Sequence, residues 1–163
     1  LRSLRIHGKG SNKYDNVRIG MNSRLDTLQA AVLQAKLSQF ENFELDSINR
    51  VADNYTRVLK DVVITPTIKE GFYSSWAQYS ILLETEEKRN GLQDYLKKQD
   101  IPSMIYYPKP MHMQQAFEGI CVKGDDCSNT VELCKRVLAL PLHPYMMDND
   151  IEKVTALICQ YLK

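Results

Sequence analysis

The spacing of apolar residues that begins at Ser23 constrains the fold of this chain more than any other feature. Ser23 with Asp26 three residues later resembles a capping box, so we expect a helix to begin at Ser23. Two apolar stripes with helical spacing follow, separated by a junction near Phe40 to Leu45: Leu25, Leu28, Val32 and Ala35, and then Ile48, Val51, Tyr55, Val58 and Leu59. These stripes predict one long helical arm over residues 23–60.

The hydrophobic period changes after this arm. Alternation over residues 77–83 predicts a half-buried strand, residues 86–99 a helix, and residues 101–108 ("IPSMIYYP") a second strand with Pro102 near its start. Two more helices are predicted from apolar stripes with helical spacing. The first stripe is Val131, Cys134, Val137 and Leu138, and the second is Ile151, Val154, Ile158 and Tyr161. Asp148 is the predicted N-cap of the last helix. We therefore expect an α+β domain over residues 61–163, with a small, mainly antiparallel sheet covered by helices.

Residues 1–22 fit this domain poorly. They contain a loop with little to bury, made of Gly8, Gly10, Ser11 and Asn12. We expect the segment to be poorly packed and to form the end of another domain. The chain also begins at Leu1 rather than at a methionine, which favours a fragment of a larger soluble protein.

Charge and cysteine usage narrow the functional classes. The 163 residues carry 21 basic and 20 acidic side chains, a formal net charge of +1, and no block of like charge. Binding to nucleic acid or to a membrane surface is therefore not expected, and no apolar run is long enough to cross a bilayer. Four cysteines without close C-x-x-C pairing indicate reduced thiols in a cytoplasmic protein: Cys121, Cys127, Cys134 and Cys159.

Several familiar catalytic sites have no support in the sequence. "HGKGSNK" places glycines beside a lysine, but it matches neither of the standard phosphate-binding loops. His7, His112 and His143 lie far apart without the i, i+4 pairing of a metalloprotease helix, so we predict no metal site. Neither a serine nor a cysteine lies in a local nucleophile motif.

Asn22 and Arg24 are the best candidates for ligand chemistry. Both lie at the predicted start of the long helix, where free amides and the helix dipole favour an anion and a guanidinium offers two parallel donors to phosphate oxygens. The alternative is that Arg24 is a solvated arginine of the first turn and Asn22 a turn residue. Spacing alone leaves both interpretations open.

Three motifs, in order along the chain, resemble one known family. They are "RIHG" followed by "IGMNSRLDTLQAAVLQAKL", then "IPSMIYYPKPMHMQQAF", and finally "LPLHPYMMDNDIEKV". Together they resemble the C-terminal part of the DegT/DnrJ/EryC1/StrS sugar aminotransferases. The resemblance implies the small domain of an aspartate aminotransferase-like, fold type I enzyme that uses pyridoxal 5'-phosphate. Such an enzyme transfers an amino group from an amino acid, usually glutamate, to a keto-sugar nucleotide for polysaccharide or amino-sugar biosynthesis, and is usually a homodimer.

The resemblance also implies roles for individual residues. Asn22 and Arg24 match the G-x-N-x-R motif, whose side chains reach the cofactor phosphate of the neighbouring subunit. "YYPKPMH" resembles a loop near the sugar-nucleotide cleft, which makes Tyr107 and His112 candidates for substrate contact. Alternatively, Tyr106 and Tyr107 finish a strand and pack against helices.

The family's catalytic lysine matches no residue of this chain. That lysine forms the Schiff base with the cofactor and lies upstream of the "RIHG" segment, while Lys9 and Lys13 do not match its context. We therefore assign no catalytic residue here, and we expect the chain alone to be inactive. Two alternatives stay open: a fragment of a sugar dehydratase of the same family, in which histidine replaces the lysine, and a non-catalytic binding or dimerisation module.

Overall fold

A computed structural model of the chain describes residues 1–12, 15–119, 124 and 126–163. Lys13 and Cys121, which were considered above, lie outside the described residues. The chain divides into two compact units, Leu1–Asn42 and Phe43–Lys163. The domain scheme expected from the sequence, with residues 1–22, 23–60 and 61–163, stays a prediction.

The first unit consists of turns followed by helix α1, Thr27–Gln39. Among the described residues before Asn22 only Gly8 is buried, which agrees with the prediction that this segment is poorly packed. The predicted capping box at Ser23 is wrong, because Asp26 is the N-cap and its carboxylate accepts hydrogen bonds from the amides of Leu28 and Gln29. A carboxylate in this position satisfies two of the amides that a first turn leaves unpaired.

The predicted long helical arm is present as three consecutive helical segments. A π-helical segment, Phe40–Glu44, follows α1 at the predicted junction, and helix α2, Leu45–Leu59, follows it. Helix α2 buries one face, made of Val51, Ala52, Tyr55 and Leu59. Amphipathic spacing of this kind drives helix formation through burial of one face rather than through propensity.

A two-stranded antiparallel sheet lies at the centre of the second unit. Strand β1, Tyr79–Leu82, pairs with strand β2, Val137–Leu140, so that Tyr79 is opposite Leu140 and Leu82 is opposite Val137. Single bridges extend each edge, from Ile64 to Leu82 and from Met104 to Ala139. The alternation predicted over residues 77–83 is confirmed for Tyr79, Ile81 and Leu83, which are all buried, whereas Ala77 is exposed and lies before the strand.

Two sequence predictions for this sheet are wrong. Residues 101–108 do not form a strand, because only Met104 pairs with β2, and Pro102 and Pro108 have no amide hydrogen for a ladder. The second wrong prediction is that Val137 and Leu138 belong to a helix, because both residues lie in strand β2. Helix α4, Ser128–Arg136, ends one residue earlier, where Val137 turns extended.

Helix α3, Glu86–Lys98, and helix α5, Asp148–Leu162, confirm the remaining helix predictions. Thr85 caps α3 by accepting a hydrogen bond from the amide of Lys88. Asp148 is the first residue of α5 rather than its N-cap, and Asp150 accepts a hydrogen bond from the amide of Met147 at 3.1 Å. Two short 3-10 turns, Met111–Met113 and Gln115–Phe117, lie between α3 and α4.

The core of the second unit lies where α2, α3 and α5 meet the sheet. Its fully buried side chains include Tyr55, Tyr79, Ile81, Leu92, Leu96, Leu138 and Ile158. The Tyr55 hydroxyl donates a hydrogen bond to the carbonyl of Pro141 at 2.9 Å. Burial, with a smaller contribution from Tyr79, raises the pKa of Tyr55 well above its ordinary value.

The described part of the chain has no helix with the length and apolarity that crossing a bilayer requires. Cys134 and Cys159 carry free thiols. No group of three metal-ligating side chains occurs among the described residues.

Candidate functional site

Backbone pairing holds the segment that carries Asn22 and Arg24. The amide of His7 donates to the carbonyl of Met21 at 3.0 Å, and the amide of Ser23 donates to the carbonyl of Arg5 at 2.9 Å. Asn22 thereby forms an antiparallel bridge with Ile6. Both candidate side chains are exposed. The two sequence motifs "RIHG" and "GMNSR", which are separated along the chain, are thus hydrogen-bonded neighbours.

Two glycines make this pairing possible. Gly8 has a φ of +72°, and a Cβ added there would lie 1.8 Å from the carbonyl oxygen of Arg18. A Cβ on Gly20 would lie 2.1 Å from the amide nitrogen of Gly8. Neither position can take a side chain without moving the backbone. No sequence pattern predicts this contact, although each glycine lies within one of the quoted motifs.

The helix N-terminus does not supply the free amides that the sequence argument invoked. Helix α1 starts after Asp26, whose carboxylate accepts the amides of Leu28 and Gln29 at 2.8 and 3.3 Å. A second anion at those two amides would meet the Asp26 charge, so they do not support an anion site, and the site at Asn22 and Arg24 stays a prediction. The Arg24 guanidinium, in contrast, has no ion pair with any described residue. Its donors are available to an external anion.

The other two candidates lie in the loop between α3 and α4, in the second unit. Tyr107 is 68% exposed, and its ring meets that of Tyr106 edge to face, with centroids 5.8 Å apart. His112 lies in the 3-10 turn Met111–Met113 and is half-buried. Its Nε2 atom is buried and has no hydrogen-bond partner among the described residues. The four candidates thus form two local groups, one in each unit. Tyr106 and Tyr107 do not finish a strand, and their packing against helices stays a prediction.

A cavity of about 640 Å³ lies between this loop and helix α4. The loop side includes Tyr107 and Lys109, and the helix side includes Thr130, Leu133 and Cys134. No sequence signal marked the three residues of α4 as cavity lining, because their spacing is equally typical of a helix face that packs on a core.

A family model described as the DegT/DnrJ/EryC1/StrS aminotransferase family matches residues 1–159. The chain is 36% identical over 160 residues to the UDP-2-acetamido-2-deoxy-3-oxo-D-glucuronate aminotransferase of Pseudomonas aeruginosa. The aligned region covers 96% of this chain and 42% of that protein. It is 33% identical over 166 residues to the pleiotropic regulatory protein of Geobacillus stearothermophilus. That aligned region covers 99% of this chain and 43% of the relative.

A crystal structure of a DegT DnrJ EryC1 StrS aminotransferase from Brucella abortus superimposes with a TM-score of 0.89 at 45% identity, covering 99% of this chain and 42% of that one. This match confirms the predicted fold class, the small α+β domain of a fold type I aminotransferase. The chain spans less than half the length of the relatives it matches.

Proposed function

This chain belongs to the DegT/DnrJ/EryC1/StrS aminotransferase family, and from that premise we propose that it is the C-terminal part of a pyridoxal-phosphate-dependent sugar-nucleotide aminotransferase. The enzyme transfers an amino group from an amino acid, glutamate in this proposal, to a keto-sugar nucleotide. The observation that carries the proposal is the family match over residues 1–159, supported by a relative named for amino transfer to a UDP-linked sugar.

The described residues fit the phosphate end of the cofactor. Arg24 presents an exposed guanidinium without an internal ion pair, and Asn22 presents an exposed amide two residues before it. A guanidinium binds phosphate oxygens through parallel, charge-assisted hydrogen bonds, and an amide adds one more donor. The cofactor, when bound, supplies the electron sink that amino-group transfer requires. In this proposal the lysine that carries it lies upstream of the residues described.

The roles of this chain are therefore binding and orientation. Arg24 and Asn22 fix the phosphate of the cofactor in the partner subunit, and the Gly8–Gly20 contact holds the segment that presents them. Tyr107 and His112 contact the sugar-nucleotide substrate; Tyr107 is exposed, and the buried Nε2 of His112 lacks a hydrogen-bond partner among the described residues. The whole enzyme is a homodimer in the cytoplasm, and the free thiols of Cys134 and Cys159 fit a reducing compartment.

Exchange of subunits between two inactive variants of the full-length enzyme tests the proposal. One variant lacks the upstream lysine and the other carries Arg24→Ala, which we expect to weaken cofactor binding by roughly 1.5 to 3 kcal/mol. If lysine and arginine come from different subunits, each mixed dimer has one site with both defects and one site with neither. Since a statistical mixture contains half mixed dimers, glutamate-dependent amination should recover to about a quarter of the wild-type rate.

Cofactor must be kept limiting in this assay, because an excess would mask the weakened binding. Arg18→Ala is the matched control, since Arg18 is also an exposed arginine of the same segment, and it should leave activity unchanged. Mixed dimers that are verified by mass and show no recovery would refute the sharing of sites between subunits. Absence of amination in the unmodified full-length enzyme would favour the dehydratase or the non-catalytic module.

We also propose that the chain alone is inactive. Treatment with pyridoxal 5'-phosphate and borohydride should then label surface lysines unevenly, without one stoichiometric adduct. A single stoichiometric lysine adduct, accompanied by amino transfer from glutamate, would place the catalytic centre within this chain.

A further inference from the structure

Another cavity of the second unit lies between helix α2 and the loop before strand β1. Its volume of about 550 Å³ lies within the range of roughly 300 to 1,000 Å³ that is typical of small-molecule sites. Residues 46–54 of α2 supply one wall, and residues 68–76 supply the other. This cavity is separate from the one between the α3–α4 loop and α4, because no described residue lines both.

One asparagine of α2 fixes the loop against the helix. The side-chain amide of Asn49 donates to the carbonyl of Ser74 at 3.0 Å, and its side-chain oxygen accepts from the indole of Trp76 at 2.9 Å. Trp76 is buried and has a φ of +46°, a backbone conformation that is costly for a bulky residue and that these hydrogen bonds help to hold. The loop wall of the cavity is therefore fixed in place without a ligand.

The lining combines carboxylates that have no cation with exposed aromatic rings. Asp46 and Asp53 form no ion pair with any described residue. They lie two helical turns apart on one face of α2, about 10 Å along the helix axis. The rings of Phe72 and Tyr73 are mostly exposed, and the Tyr73 hydroxyl donates to the Asp46 carboxylate at 2.9 Å. Two negative charges thus lie beside an aromatic surface.

Arg50 lies between the two carboxylates along α2 but does not neutralise either of them. Its guanidinium pairs with Asp148 at the start of α5 and donates to the carbonyl of Met146 at 2.8 Å. The charge of Arg50 is therefore balanced outside the cavity. An ammonium group is attracted by a carboxylate and also by the face of an aromatic ring. The lining consequently favours a ligand that carries more than one ammonium group.

We propose that this cavity binds a linear aliphatic polyamine, with ammonium groups at Asp46 and Asp53 and the methylene chain against the two exposed rings. The inference goes beyond the proposed function and uses none of its residues. Separated carboxylates beside an apolar surface complement ammonium groups that are separated by methylenes. An extended basic peptide is disfavoured, because none of the described lining residues belongs to a strand on which its backbone could pair.

Calorimetric titration of the full-length protein with spermidine and n-butylamine at one ionic strength tests this assignment. Asp46→Asn keeps an acceptor for the Tyr73 hydroxyl and removes one charge, and Asp53→Asn removes the other. Each substitution should weaken spermidine binding about two- to fivefold, and the double variant roughly tenfold, because each removes one exposed ion pair. Phe72→Ala should weaken it about twofold through loss of a cation–π contact. n-Butylamine, with a single charge, should bind more weakly than spermidine.

Asp94→Asn is the matched control, because Asp94 is an exposed aspartate of α3 that does not line the cavity. It should leave spermidine binding unchanged, and circular dichroism should show that all variants fold. Spermidine binding that survives the double variant overturns the inference, and so does an equal loss in Asp94→Asn, which would show attraction to the overall surface charge.

Absence of saturable spermidine binding to the unmodified protein also overturns the inference. If tetralysine then binds and depends on both aspartates, the cavity is a site for a basic peptide. Each of these outcomes leaves the proposed function intact, because glutamate-dependent amination is measured in a separate assay without polyamine.

Discussion

Helices α1 and α2 follow each other in the chain and differ in what they bury. Helix α1 buries none of its 13 residues although it contains Leu28, Val32, Leu33 and Leu37, which are all more than half exposed. Helix α2 buries four of its 15 residues completely and packs against α5. The difference shows that apolar content alone does not make a core, because α2 concentrates its apolar residues on one face while α1 distributes them around the helix.

The two units that contain these helices also differ in how much they bury. The second unit has a continuous core, whereas the first holds the candidate cofactor contacts on exposed backbone segments. Thermodynamic stability should therefore depend on the second unit, and ligand binding at Asn22 and Arg24 should be separable from it. The predictions below test this separation.

Truncation of a leucine in each unit should give the largest difference. Leu138→Ala removes a fully buried side chain of β2 and should lower the free energy of unfolding by about 2 to 5 kcal/mol. Leu28→Ala removes an 80% exposed side chain of α1 and should change it by less than about 0.5 kcal/mol. Urea unfolding measures both. Equal losses would show that α1 is part of the core.

Substitution of one arginine in each unit should also affect stability differently. Arg89 is buried in the second unit, where its guanidinium donates to the carbonyl of Cys134 in α4 and to that of Val137 at the start of β2. Arg89→Ala should lower the free energy of unfolding by roughly 1.5 to 3 kcal/mol. Arg24→Ala should leave it within about 0.5 kcal/mol, since Arg24 is exposed and has no internal ion pair among the described residues. A large loss for Arg24→Ala would assign it a structural role.

The buried tyrosine of α2 should give a smaller, pH-dependent effect. Tyr55→Phe removes the hydrogen bond to Pro141 and should cost about 1 kcal/mol at pH 8. Burial raises the pKa of Tyr55 in the folded state, so above pH about 10 the unfolded chain loses this proton first and the wild-type protein loses stability, by up to about 1.4 kcal/mol per pH unit. Tyr55→Phe lacks this loss. Urea midpoints from pH 8 to 11 should therefore converge, and parallel curves would contradict the raised pKa.

The smallest effect on global unfolding should come from the cap of α1. Asp26→Ala removes the acceptor of the Leu28 and Gln29 amides and should destabilise α1 locally by about 1 kcal/mol. Because α1 buries nothing, its opening should not propagate to the second unit. Hydrogen exchange should accelerate in α1 and stay unchanged in β1, and Asp26→Asn should restore protection. Faster exchange in β1 as well would show that the two units unfold together.

Much of the fold could be predicted from local pattern. The spacing of Val51, Tyr55 and Leu59 predicted α2, and the alternation of Tyr79 and Ile81 predicted β1, because helix and strand periods are properties of the chain itself. The three motifs likewise predict the family, because they are local stretches of sequence that need no tertiary contact. Asn22 and Arg24 were identified by motif, and their role in cofactor binding stays a prediction.

Tertiary structure decided the secondary structure of segments whose local pattern fits both a helix and a strand, or both a strand and a loop. Residues 137–140 continue the apolar spacing of α4, but they pair with β1 and so form β2, whereas residues 101–108 find a pairing partner only at Met104. The contact of Gly8 with Gly20 and the cavity behind Tyr107 also arise from segments distant in sequence. Sequence by itself therefore determined the family, the helices and the candidate motifs. Pairing between distant segments decided strand identity and site geometry, since hydrogen-bond partners and cavity walls are supplied by residues that no local period specifies.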